Sequence, residues 1–171
     1  LKKDRAQGYG QYLFFDARFD ENHTPHPDHP LNLTPPPKIL VVDDNFGCGS
    51  SREGAVYALS DYGIRVVIGT TFGDIFHNNC FKNGVLPVRL DQDSHQALVA
   101  SLPQPRDIDV DLLDQGIDWG DGQARFEVDA FGKECLTQGL DELSLTLSYQ
   151  ADIDQFEANY RANYPWLAPT S

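Results

Sequence analysis

Methionine is missing from all 171 residues, so Leu1 does not stand for a start codon and a trimmed N-terminus is expected. Cysteine is scarce. Cys48, Cys80 and Cys135 cannot all pair with one another, which fits a reducing cytoplasm better than a disulfide framework. No apolar run approaches the ~20 residues that a membrane-spanning helix needs, and no basic-then-apolar leader opens the chain. Basic residues are few, with 13 Lys and Arg against 26 Asp and Glu, a net charge of −13. That excess repels nucleic acid and anionic membrane, so neither is expected as the main partner. Internal repeats and low-complexity tracts are absent as well. What remains is 40% hydrophobic and 11% aromatic, enough to bury a core, in a length suited to one domain spanning 1–171.

Residues 1–38 read as irregular. An aromatic cluster, Tyr12-Leu13-Phe14-Phe15, precedes a segment, 20–38, in which six prolines forbid helix and central strand and leave a long surface loop. Order begins at Lys38. Ile39–Asp43 is a short apolar run of the kind that forms a strand buried on both faces. A glycine-rich turn follows, then a helix over Arg52–Tyr62 stopped by Gly63, and a second strand over Ile64–Ile68. A helix over Asp74–Lys82 and a strand over Val85–Leu90 continue the alternation, which predicts an α/β fold around a largely parallel sheet. Further on, the pattern predicts a helix over Asp93–Leu102 capped by Asp93 and a half-exposed strand over Ile108–Leu112. A hairpin around Gly120-Asp121-Gly122 should follow, then helices over Phe131–Gln138 and Asp152–Tyr164. The last should bury Ile153, Phe156 and Tyr160.

The segment richest in chemistry is Gly47-Cys48-Gly49-Ser50-Ser51-Arg52-Glu53, between strand and helix. Its glycines allow close approach of a ligand to the backbone, and free N–H groups at a helix start attract anions. Arg52 adds a planar cation matched to a carboxylate. Two adjacent hydroxyls there suit carboxylate binding or, for one of them, proton transfer. A plain helix cap, with Ser50 or Ser51 satisfying orphan N–H groups, explains only part of the pattern. A phosphate loop fits poorly, for the Gly-Lys-Ser/Thr ending is missing.

Other clusters read as structural. His23, His26 and His29 share one face of a polyproline helix but stand ~9 Å apart, too far to close on one ion. Asp107, Asp109 and Asp111 resemble the start of a calcium loop, yet Leu112 stands where Gly is required, so a wet strand face explains them better. The cysteines lie 32 and 55 residues apart, unlike cluster ligands. Cys80 and Cys135 fit as core residues, and Cys48 stands apart only because it is in the glycine turn.

Phe46–Glu53, Tyr62-Gly63-Ile64, Phe72–Phe76, Asn79 and Lys82–Pro87, with Lys133–Leu136, Gly139–Asp141 and Tyr164–Leu167, resemble the small-subunit family of 3-isopropylmalate dehydratase, within the aconitase superfamily. The resemblance spans nearly the whole chain. Two departures stand out: Gly54 occupies the place of the family's usual His, and the family's opening Asp-Thr-Asp strand is absent before Leu1.

The resemblance implies a swivelling β/β/α domain with a mostly parallel core sheet, like the mobile last domain of aconitase. It implies a partner large subunit that carries a [4Fe–4S] cluster on its own cysteines, with no metal bound by this chain. The joint reaction would interconvert 2-isopropylmalate and 3-isopropylmalate in leucine biosynthesis, the iron accepting the leaving hydroxyl. Ser50 would be the base for the carbon-bound proton, while Ser51, Arg52 and Gly49 would bind the small dicarboxylate substrate. Leu13, Phe14, Phe15 and Arg18 fall where the family places its substrate-discriminating loop. The small subunit of homoaconitase or of another 2-alkylmalate dehydratase, and a non-catalytic carboxylate-binding module, are the alternatives.

Overall fold

The computed structural model describes residues 8–49, 52–102, 107–139 and 142–167, and it divides into two compact units, Leu1–Gly139 and Leu140–Ser171. The first unit is built on three parallel strands, β1 (Ile39–Val41), β2 (Val66–Gly69) and β3 (Leu86–Arg89), in that spatial order. Ile39 pairs with Val66, and Val66 with Leu86. The parallel α/β expectation therefore holds. Side chains alternate along each strand, so the sheet serves two cores. Leu40, Val42 and Val67 join a cluster around Leu59, Ile64 and Phe76, whereas Ile39, Val41, Val66 and Ile68 join one around Leu98, Trp119 and Phe126.

Helices link the strands. A single turn, α1 (Phe15–Arg18), breaks the irregular N-terminal stretch. α2 (Gly54–Tyr62) connects β1 to β2 and buries Val56, Ala58 and Leu59, and Gly63 ends it at φ +111°, a conformation that favours glycine. α3 (Asp74–Lys82) connects β2 to β3 over the residues expected and buries Phe76 and Cys80. α4 (Gln92–Ser101) follows. An antiparallel meander of β4 (Asp109–Asp111), β5 (Gly116–Asp118) and β6 (Gln123–Arg125) then supplies Ile117 to the second core. α5 (Ala130–Gln138) packs by Gly132 against the Phe81 ring, where an added Cβ would lie 2.8 Å from Cε1. Parallel sheet, meander and helices together form the β/β/α layering.

Three expectations need correction. Among the described residues β1 is an edge strand and only half-buried, because β2 and not β1 takes the centre of the sheet. The cap of α4 is Asp91, whose carboxylate accepts the Ser94 N–H at 2.9 Å, rather than Asp93, which falls inside the first turn. That contact holds the Asp91 carboxyl below its usual range. The second unit contains α6 (Glu142–Ser148), α7 (Gln150–Asn163) and a 3-10 turn at Pro165–Leu167, and α7 has no buried residue: Phe156 and Tyr160 are exposed.

Candidate active site

The glycine turn is fastened where β1 and β2 end. Beyond β1, Phe46 forms an isolated parallel bridge with Phe72 from the loop after β2. Its N–H donates to Thr71 O at 3.3 Å, and Gly73 N–H donates back to Phe46 O at 2.9 Å. Asn45 N–H donates to Thr71 Oγ1 at 2.7 Å, and the Thr70 hydroxyl donates to the Asp44 carboxylate. Two neighbouring loops are thereby zipped at the carboxyl edge of a parallel sheet, the edge at which open α/β sheets hold ligands.

Packing below the turn is tight. Gly47 sits at φ +79°, and a Cβ there would fall 2.3 Å from Phe76 Cγ. A Cβ on Gly73 would fall 2.8 Å from Cys48 Cα. Gly49 is different, with nothing within 4 Å of an added Cβ. The turn is thus pinned on its inner side and open outward at Gly49. Cys48 is exposed, as is Arg52, just before α2. Ser50 and Ser51 lie outside the described residues. Glu53, immediately before α2, accepts the Tyr57 hydroxyl, and the cap reading of Ser50 or Ser51 falls outside the described residues as well.

The N-terminal aromatic segment splits in its roles. Phe14 takes the left-handed conformation, φ 47° and ψ 39°, unusual for a bulky residue and the kind of strain that collects at functional sites. It is 42% exposed, and its ring lies 6.4 Å from that of Phe46, beside the glycine turn. Leu13 is buried in the first core, and Phe15 stacks on Phe19 at 4.8 Å. Arg18 is buried too. Its guanidinium donates to Leu13 O at 3.1 Å and to Asn32 Oδ1 at 3.0 Å, and lies 4.8 Å from the centre of the Tyr62 ring. Of these four, Phe14 is the one brought to the turn, through Phe46, and Arg18 is committed to bracing the loop.

Sequence reasoning missed three of the residues that shape the site: Phe46 as the link to Phe14, Phe76 as the floor under Gly47, and Gly73 as the seat for Cys48. The glycine just before α3 was a signal for the last, since it marks a close backbone approach. An Asn at φ 57°, Asn45, begins the turn. At Gly54 an added Cβ would meet only Tyr9 Cε1, at an ordinary 3.7 Å, so space does not demand glycine there.

Among the described residues no group of three His, Cys, Asp or Glu side chains is placed to hold a metal ion. His29 instead accepts the Leu31 N–H through Nδ1 at 3.2 Å, ordering the proline-rich loop. Asp111 accepts from Leu113 N–H and Asp114 N–H and so shapes a turn. Burial pushes the Cys80 thiol well above its usual range, and Cys135 is buried as well. A thiol reagent should accordingly modify Cys48 alone in the native chain and all three cysteines in denaturant, as intact-mass measurement would read. Rapid native labelling of Cys80 would contradict the packing of α3.

A groove of about 480 Å³ lies beside the end of β1, lined by Asp43, Asp44, Gln92, His95 and Gln96. Its buried His95 donates from Nε2 to Val42 O at 2.9 Å and so ties α4 to β1. A second groove, about 730 Å³, opens between His77, Arg89 and Glu127, and there burial first, and then the Arg89 charge, lowers the His77 pKa.

Comparison with known proteins agrees with this geometry. The family model for the aconitase C-terminal domain matches residues 16–93, which hold the parallel sheet and the glycine turn. A second model, for the C-terminal domain of the 3-isopropylmalate dehydratase small subunit, matches residues 144–170. A 3-isopropylmalate dehydratase small subunit from Rhizobium meliloti is 48% identical over 171 residues, covering 97% of this chain and 85% of the relative. Another, from Pelagibacter ubique, is 41% identical over 169 residues, covering 98% and 83%. The crystal structure of a 3-isopropylmalate dehydratase from Methanocaldococcus jannaschii is similar at a TM-score of 0.55 and 26% identity, over 68% of this chain and 67% of that one. With 48% identity to such a relative along nearly its whole length, the chain belongs to the 3-isopropylmalate dehydratase small-subunit family.

Proposed function

We propose that this chain is one half of a hydro-lyase that interconverts 2-isopropylmalate and 3-isopropylmalate, by loss and re-addition of water, in cytoplasmic leucine biosynthesis. The observation that carries the reading is the glycine turn, pinned between two parallel strand ends and leading directly into Arg52, in a chain of this family. The whole of 1–171 acts as one swivelling domain beside a large subunit.

Each residue has a task in this reading. The Arg52 guanidinium and the N–H groups around Gly49 and Ser51 hold the substrate carboxylates. Ser50 takes the carbon-bound proton. That proton is weakly acidic and an ordinary serine is a poor base, so the site must stabilise the alkoxide. A cation and a helix start supply that stabilisation, and the same groups favour the negative charge that develops on the adjacent carboxylate. Phe14, held beside Phe46, lines the pocket for the isopropyl group, and Arg18 fixes the loop that presents it. The cysteines do not fit a cluster, since one is exposed and two are buried, with no metal-holding group around them among the described residues. The [4Fe–4S] cluster belongs in this reading to the partner.

The test is turnover of 3-isopropylmalate by this chain alone, and with an anaerobically cluster-loaded large subunit, with homocitrate as a second substrate. Activity in the mixture alone, with isopropylmalate preferred, is expected. A clear preference for homocitrate would move the assignment to homoaconitase. An intact mixture inactive on both would leave a carboxylate-binding module.

A further inference from the structure

The second unit exposes an aromatic stripe that the catalytic reading does not use. Tyr149, Ile153, Phe156 and Tyr160 recur at spacings of four, three and four residues, which places them on one face of α7. Phe156 stacks on Tyr160 at 5.8 Å, Tyr160 meets Tyr164 at 5.0 Å, and Tyr164 meets Trp166 edge-on at 5.7 Å. The rings form a continuous ladder. Yet Tyr149 is 50% exposed, Phe156 67%, Tyr160 43%, Tyr164 44% and Trp166 73%.

We infer that this ladder docks against the large subunit; the inference rests on the two-subunit reading above. Three observations point to that occupant. A fully buried ring covers about 150–250 Å², so five rings about half exposed offer on the order of 500 Å², most of the ~800 Å² per partner in a stable interface. The chain carries a net charge of −13, so pairing two copies through this face would bring like charges together. Finally, the stripe lies mostly within residues 144–170, the stretch matched by the small-subunit family model and not by the aconitase one. In the two-subunit reading no linker raises this domain's effective concentration at the active site. It must be held by affinity, and exposed aromatic side chains at the centre of a patch are the residues that supply it.

The experiment uses the full chain with Phe156→Ala and Trp166→Ala together, titrated against purified, cluster-loaded large subunit by calorimetry. A loss of such anchors should weaken Kd by about 30-fold or more, with kcat at saturating large subunit within about twofold of the parent. The exposed Leu113→Ala serves as control and should bind like the parent. A double variant that binds within about threefold of the parent would overturn the inference. So would a parent chain that sediments as a dimer and becomes a monomer in the variant, or a variant whose own melting temperature drops sharply. A parent chain that does not bind the large subunit at all would remove the two-subunit reading along with it, a result distinct from the other three.

Discussion

Replacing Ser50 with Ala lowers kcat for 3-isopropylmalate in the assembled enzyme by about 10²–10⁴-fold, with KM little changed, if the hydroxyl is the base. The split between the two constants is the informative part. A group that moves a proton only in the transition state takes its loss in kcat, whereas a group that grips the ground-state carboxylate takes it in KM. Arg52→Ala is the contrast, expected to raise KM. If Ser50→Ala raises KM and spares kcat, the serine is a binding group and the base lies elsewhere. If turnover is unaffected, Ser50 leaves the mechanism altogether. The measurement requires the large subunit throughout.

Gly47→Ala unfolds at clearly lower urea, a loss of about 3 kcal/mol. Two costs combine: about 1–2 kcal/mol for a Cβ in the left-handed region, and about 1–3 kcal/mol for forcing it into filled space. The geometry leaves no easy escape, since the Cβ would lie 2.3 Å from Phe76 Cγ, and Phe76 is buried between Phe46 and Phe72. Gly49→Ala is the paired measurement. It has open space and no positive φ, so its stability should stay within about 0.5 kcal/mol of the parent. Equal stabilities for the two variants would mean that the turn is not seated on Phe76. The same seating explains why Cys48 and Gly49 are exposed: a turn that cannot sink into the core presents them outward.

Much of this was legible in the sequence because short-range rules decide it. Apolar runs at Ile39, Val66 and Leu86, separated by helical segments, are the pattern of a parallel α/β sheet. Asp74–Lys82 came out at its observed bounds because Gly73 and the Asn83-Gly84 pair punctuate both ends. Cys80 and Cys135 declared their burial by sitting on apolar helix faces. The chemistry proposed for the glycine turn rests on residue types alone, since glycine, hydroxyl and guanidinium in that order suit an anion.

The three-dimensional packing decided what depends on partners distant in sequence. Nothing local distinguishes Asp91 from Asp93 as a cap until the first turn of α4 is placed against its strand. Arg18 falls in the segment where the family places its substrate-discriminating loop, yet the fold brings Leu13 O and Asn32 within its reach and turns it inward, leaving Phe14 to face Phe46. The order of strands made β1 an edge and joined the loops after β1 and β2 by hydrogen bonds across 26 residues. α7 shows the limit most plainly. Its periodicity fixed which side chains share a face, because 3.6 residues complete a turn in any helix. What covers that face is a question of another surface, and the periodicity of one segment carries no information about it.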